Sequence, residues 1–258
     1  MRYFLELSYN GANFHGWQSQ PNAVGVQQKI EEALSVVTRL PISIVGAGRT
    51  DAGVHARQMY AHFDLPEPIA DKSRFLLSIN RLAGKDIAFH KLIEVAEDAH
   101  ARFDATERSY KYFVTFDKSP FIYPCSWHSP SSLDVDKMNE AAKILLSTSD
   151  FTSFAKLHSD TKTNICDVRK AIWQPVNTVS EEKSFFIDNG LVFTISADRF
   201  LRNMVRAVVG TLVDVGRGKL STEGFRDIIE RKNRCSAGTS MPPQALFLWE
   251  VKYPFINS

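Results

Sequence analysis

ISIVGAGRTDAGVHARQMYAHFDL, residues 42–65, is the stretch from which the rest of the chain can be read. A short strand over about 42–46 runs into a loop, and strand alternation resumes over 58–64, where Met59, Ala61 and Phe63 share a face. In the loop, Gly46, Gly48 and Gly53 bracket Arg49 and Asp51. Glycine opens backbone conformations closed to other residues and lets a ligand come close. In an extended loop, positions 49 and 51 point the same way, so a cation and a carboxylate lie side by side. The cation favours the ionised carboxylate, and an ionised, partly desolvated carboxylate can act as nucleophile or base. The same pattern also describes a structural turn in which Asp51 bonds backbone amides and Arg49 pairs with it. Spacing alone favours that plainer reading. No GxxxxGKS/T or GxGxxG pattern is present to support a phosphate-cradling loop.

Outward from this loop, strands and helices mix along the whole chain. Upstream, residues 2–9 set Tyr3, Leu5, Leu7 and Tyr9 against Arg2, Glu6 and Ser8, the pattern of a half-buried strand. A Gly- and Asn-rich loop follows. A helix over 26–38 then carries Val26, Ile30, Ala33, Leu34 and Val37 at helical spacing. Downstream, a helix near 72–82 and a strand near 86–95 precede a long strand at 108–116, with Tyr110, Tyr112, Val114 and Phe116 on one face. Asp117 to Ser132, broken by Pro120, Pro124 and Pro130, reads as a crossing loop. The helix at 134–146 has Asp134 as its N-cap and Leu133 to staple against Met138. Strands near 164–174 and 184–196, helices near 200–215 and 221–232, and a last strand at 245–253 complete the pattern. The expected fold is α+β in two similar halves, 1–117 and 133–258, joined by the crossing loop 118–132. Each half has mixed, mainly antiparallel sheet flanked by helices.

Composition sets outer limits. The 258 residues suffice for one large domain or two ordinary ones, and 44% hydrophobic with 23% charged residues is the balance of a soluble globular chain. The net charge of +2 neither supports nor excludes nucleic acid, because phosphate binding depends on local basic surface. Arginines cluster at Arg199, Arg202 and Arg206 and again at Arg226, Arg231 and Arg234, a pattern that solvated helix faces give equally well. Cys125, Cys166 and Cys235 are far apart, odd in number and without CxxC spacing, which argues against disulfides and structural zinc and for a reducing cytoplasm. The N-terminus alternates like a strand rather than a leader, and no run of 18 apolar residues is present. His55 and His62 lie near Asp51, but no HExxH or comparable ligand set appears, so no metal is expected.

GAGRTDAGVHARQ, residues 46–58, resembles the catalytic motif of the tRNA pseudouridine synthase A family. The resemblance continues in YNGANFHGWQSQP (9–21), VQQKIEEAL (26–34), HARFDATERSYKY (100–112) and FLRNMVRAVVGTLVDVGRGK (200–219). INRLAGKDI (79–87) departs from it by lacking a proline around Ala83-Gly84, and MPPQALFLWEVKY (241–253) departs by its Gln244-Ala245 pair. The resemblance implies an active-site cleft between the two halves, with Asp51 as catalytic nucleophile and Arg49 as a basic residue near the flipped nucleotide. It further implies Tyr110 stacking on the uracil and serving proton transfer, Arg206 paired with the aspartate, and Leu246 as an apolar wall. Arg202, one helical turn from Arg206 on the flank of the stripe Leu201, Met204, Val205, Val208 and Leu212, is a further substrate-binding candidate. The implied reaction isomerises uridine at positions 38, 39 and 40 of the tRNA anticodon stem-loop without a cofactor, in a homodimer whose subunits both touch one tRNA. Two other readings stay in view: an RNA-binding module in which Asp51 is structural, and a metal-dependent phosphoesterase using Asp51, His55 and His62.

Overall fold

Hydrophobic alternation and helical stripes settle into nine strands and five α-helices in a computed structural model that describes residues 1–156, 162–176 and 187–256. In chain order the first elements are β1 (Arg2–Tyr9), α1 (Val26–Thr38), β2 (Val45–Gly46), β3 (His55–Asp64), α2 (Lys72–Leu82), β4 (Ile87–Val95) and β5 (Glu107–Thr115). The remainder are β6 (Trp127–His128), α3 (Val135–Ile144), β7 (Val168–Pro175), β8 (Gly190–Ala197), α4 (Met204–Gly216), α5 (Thr222–Glu230) and β9 (Leu246–Lys252). The fold is α+β. The strand expected near 184–196 is observed from Gly190, and residues 184–186 fall outside the described residues.

The chain divides into two compact units, Met1–Thr106 with Phe247–Ser258, and Glu107–Leu246. In the first, β1 lies between β3 and β4, antiparallel to both; β2 pairs with β3, and β9 adds a parallel register through His55↔Phe247 and Ala56↔Leu248. In the second, β8 lies antiparallel between β5 and β7, and β6 runs parallel to β5. Within each unit the strand pairing is therefore mixed and mainly antiparallel.

Local sequence explains the element ends. Asp71, Asp134 and Ser221 each accept a backbone N–H three residues on, at 2.9, 3.0 and 3.0 Å, and so start α2, α3 and α5. α1 ends at Arg39, in the left-handed region at φ 59°. Its buried stripe is Val26, Ile30, Ala33 and Leu34. β1 differs from the half-buried strand expected. Phe4, on the supposed outer face, is fully buried because Tyr253 and Phe255 from the end of the chain cover it, with ring centroids 5.2 and 5.6 Å away.

Candidate active site

The loop from β2 to β3 is pinned by β3 itself and by the loop that follows β1. Ala47 N–H donates to Tyr60 O at 2.8 Å, Trp17 N–H to Thr50 O at 3.2 Å, and Gly53 N–H to Phe14 O at 3.3 Å. Thr50 is buried, and its hydroxyl meets the Tyr9 hydroxyl at 2.8 Å. Val54, also buried, donates its N–H to Asp51 O at 3.1 Å, closing a turn whose third residue, Gly53, has φ 78°. Gly46 marks a close approach, since a Cβ there would lie 2.6 Å from the Trp17 ring. Thr50 and Val54 are thus committed to the interior, while Arg49 is exposed and Asp51 half-buried. Outward and inward positions alternate only over residues 49–51, and residues 51–54 form a turn rather than the extended loop expected. The anchors run through the backbone, Thr50 and the loop 10–25, so the backbone of the turn that carries Asp51 is held in place.

The histidines near Asp51 have other work. His55 is buried, its Nδ1 accepts the Gly11 N–H at 3.0 Å, and its ring stacks on Phe247 at 4.6 Å and 22°. His62 is also buried, and its Nδ1 accepts the Ala101 N–H at 3.0 Å. Burial, helped by Arg2 and His100, pushes its pKa down to about 4, so the ring is neutral at ordinary pH. The two histidines sit seven residues apart on β3, roughly 23 Å at strand rise. They cannot share one ion with Asp51, and the phosphoesterase reading loses its ligand set on geometry. Among the described residues, no three His, Cys, Asp or Glu side chains are grouped to hold a metal ion.

In the second unit, Tyr110 is half-buried on β5, opposite Ile195 of β8, with its ring edge-on to Phe200 at 5.1 Å and 85°. Arg206 lies in the first turn of α4. Its Nε donates to Met241 O at 2.6 Å, and Met241 N–H returns a bond to Arg206 O at 3.1 Å. The next carbonyl, Pro242 O, accepts the hydroxyl of fully buried Tyr112 at 3.1 Å. Asn203 Nδ2 and Arg234 Nη2 both reach Ser240 Oγ, at 2.6 and 2.8 Å, and Gly238 N–H donates to Thr211 Oγ1 at 2.9 Å. These bonds tie residues 238–242 along α4 and so position the segment that ends at buried Leu246. Arg202 is exposed, and its carbonyl accepts the Lys156 N–H at 3.1 Å.

Comparison with known proteins agrees with the motif reading. A family model described as tRNA pseudouridine synthase matches residues 141–254. A protein of Parabacteroides distasonis called tRNA pseudouridine synthase A is 56% identical over 98% of this chain and 96% of its own length. Proteins of the same name from Bacteroides thetaiotaomicron and Bacillus subtilis are 53% and 38% identical, each over 98% of this chain and over 91% and 99% of their own lengths. The chain belongs to the tRNA pseudouridine synthase A family. Against that identity the non-catalytic reading fails, since these relatives are named as synthases along their whole length.

For a synthase of this family, sequence reasoning passed over Tyr112 and the clamp it shares with Arg206 on successive carbonyls of residues 241 and 242. The signal that could have found Tyr112 is its position two residues from Tyr110 on the same strand face. The carbonyl partners leave no trace in sequence, because any residue supplies them.

Proposed function

We propose that this chain isomerises uridine to pseudouridine in tRNA, at positions 38, 39 and 40 of the anticodon stem-loop, with Asp51 as the catalytic nucleophile. The observation that carries the reading is the Asp51 turn, a half-buried carboxylate whose neighbours Thr50 and Val54 are fixed inward. A pre-set carboxylate needs little reorganisation when it meets the reacting nucleotide.

The reaction breaks the bond from ribose C1′ to uracil N1, turns the base, joins C5 to C1′, and moves the C5 proton away while N1 gains one. Atoms and electrons balance within one nucleotide, so no cofactor is needed. Asp51 supplies the electron pair that holds the intermediate. Tyr110 offers an aromatic face to the uracil and a hydroxyl to the proton leaving C5. Arg206, already directed by its bond to Met241 O, supplies positive charge to the reaction, and Leu246 gives the base an apolar wall. Arg49 and Arg202, both exposed, meet the RNA. The target base must leave its stack, at a cost of a few kcal/mol, which aromatic and guanidinium surfaces offset. The same reading makes the enzyme a cytoplasmic homodimer. No helix among the described residues is long and apolar enough to cross a membrane.

The test is unmodified tRNA incubated with the parent and with Asp51→Asn, followed by mapping of pseudouridine. Formation at 38–40 by the parent alone supports the reading, and formation elsewhere, or by both, overturns it.

A further inference from the structure

Past the last turn of α4, Ser131, Ser132, Gly216, Arg217 and Lys219 line a concavity of about 440 Å³. Its two cations flank Gly218, which holds φ 69° so that Gly218 N–H reaches Val215 O and Lys219 N–H reaches Asp214 O, both at 2.9 Å. That turn fixes Arg217 and Lys219 on either side of one bend, and both are exposed. The Arg217 guanidinium lies over the Trp127 ring, 5.3 Å from its centroid, where stacking limits its freedom. Among the acidic groups close by, Asp134 donates its N–H to Gly216 O at 2.9 Å, while its carboxylate accepts Lys137 N–H and meets Lys137 Nζ, both at 3.0 Å. Asp214 is half-buried one turn back. The helix C-terminus by itself attracts cations. It does not account for a hollow that also gathers two serines and a ring holding one of those cations in place.

We propose that this concavity holds a backbone phosphate of bound tRNA. Two guanidinium and ammonium donors with two hydroxyls are the chemistry of a phosphate oxygen cluster. The open form suits a phosphate carried on a polymer better than a free anion. Arg206 and Arg217 stand eleven residues apart on α4 and its cap, roughly 17 Å by helical rise. A tRNA stem whose nucleotide is engaged near the start of α4 spans that distance in a few base-pair steps. The assignment rests on tRNA being the substrate and is independent of the role of Asp51.

The experiment titrates the full-length protein with tRNA over a range of salt and measures single-turnover pseudouridine formation beside it. Arg217→Gln and Lys219→Gln should each lower the slope of log affinity against log salt by roughly 0.7–0.9, and the double variant by about twice that. Affinity should fall at least fivefold in the double variant, with the rate at saturating enzyme unchanged within twofold. Arg217→Lys keeps the charge and should keep the slope, and Lys143→Gln, an exposed lysine on α3, should change nothing. A double variant with the parent slope overturns the assignment, as does an equal loss in Lys143→Gln. A third arm uses inorganic phosphate: binding that the double variant loses while its tRNA slope stays intact would make this a free-anion site and overturn the proposal. Melting curves establish that each variant is folded. An inactive or active Asp51→Asn protein moves none of these readings, so the two claims fail separately.

Discussion

At the scale of single residues, Tyr110 and His62 make contrasting predictions. Tyr110 is half-buried with its ring braced edge-on by Phe200, an arrangement that phenylalanine would keep. Tyr110→Phe should therefore retain tRNA affinity within about threefold and lose about a hundredfold in single-turnover rate, the range of a lost proton-transfer group. A variant with the parent rate would leave Tyr110 with a packing role. His62 concerns stability alone. The unfolded ring takes up a proton near 6.5, and the folded ring resists until about 4. Because the folded pKa is the lower one, the stabilisation is whole above about pH 6.5. It is lost as pH falls towards 4, at as much as about 1.4 kcal/mol per pH unit. His62→Asn keeps an acceptor for the Ala101 N–H and removes the titration. Its melting temperature should fall less steeply than the parent's between pH 6.5 and 4, and parallel curves would contradict this account.

At the scale of elements, the catalytic turn depends on a neighbour distant in sequence. A Cβ on Gly46 would strike the Trp17 ring at 2.6 Å, whereas one on Gly48 would meet nothing within 4 Å. Gly46→Ala should cost about 1–3 kcal/mol by overpacking, seen as a lower denaturant midpoint. Gly48→Ala should leave stability within about 0.5 kcal/mol of the parent. It should still slow turnover at least fivefold, because the open side of the turn is where RNA would reach Asp51. Parent-like turnover in Gly48→Ala would mean RNA arrives from elsewhere. Much at this scale was legible. The stripe Val26, Ile30, Ala33, Leu34 and the cap Asp134 are local signals, and α1 and α3 begin where those residues place them. The second buried face of β1 was not legible, because Phe4 is covered by Tyr253 and Phe255 from the far end of the chain. Alternation likewise announced a last strand but not its partner. The register of His55 with Phe247 joins residues nearly two hundred positions apart, and local pattern carries no such information.

At the scale of the whole molecule, Asp51 falls in the first compact unit and Tyr110 and Arg206 fall in the second. The sequence singled out these three as candidates because they lie in long motifs. It did not disclose the tether of residues 238–242, whose acceptors are backbone carbonyls and the hydroxyls of Ser240 and Thr211. Charge behaves similarly: the total is only +2, yet the substrate proposed is a polyanion. Binding should therefore weaken steeply with salt, and four phosphate contacts would give a slope of about 2.8–3.6. A flat titration would rule out an extended tRNA footprint. The central claim, that Asp51 reacts rather than braces its turn, is tested most directly by single-turnover pseudouridine formation with excess Asp51→Asn enzyme, beside its melting and tRNA-binding curves. Asparagine keeps the size and a carbonyl acceptor and removes the charge. The turn retains Thr50, Val54 and the backbone bonds to residues 14 and 17. The account predicts a folded protein that binds tRNA at least as tightly as the parent and forms no detectable pseudouridine. A folded Asp51→Asn protein converting uridine within tenfold of the parent rate would contradict it.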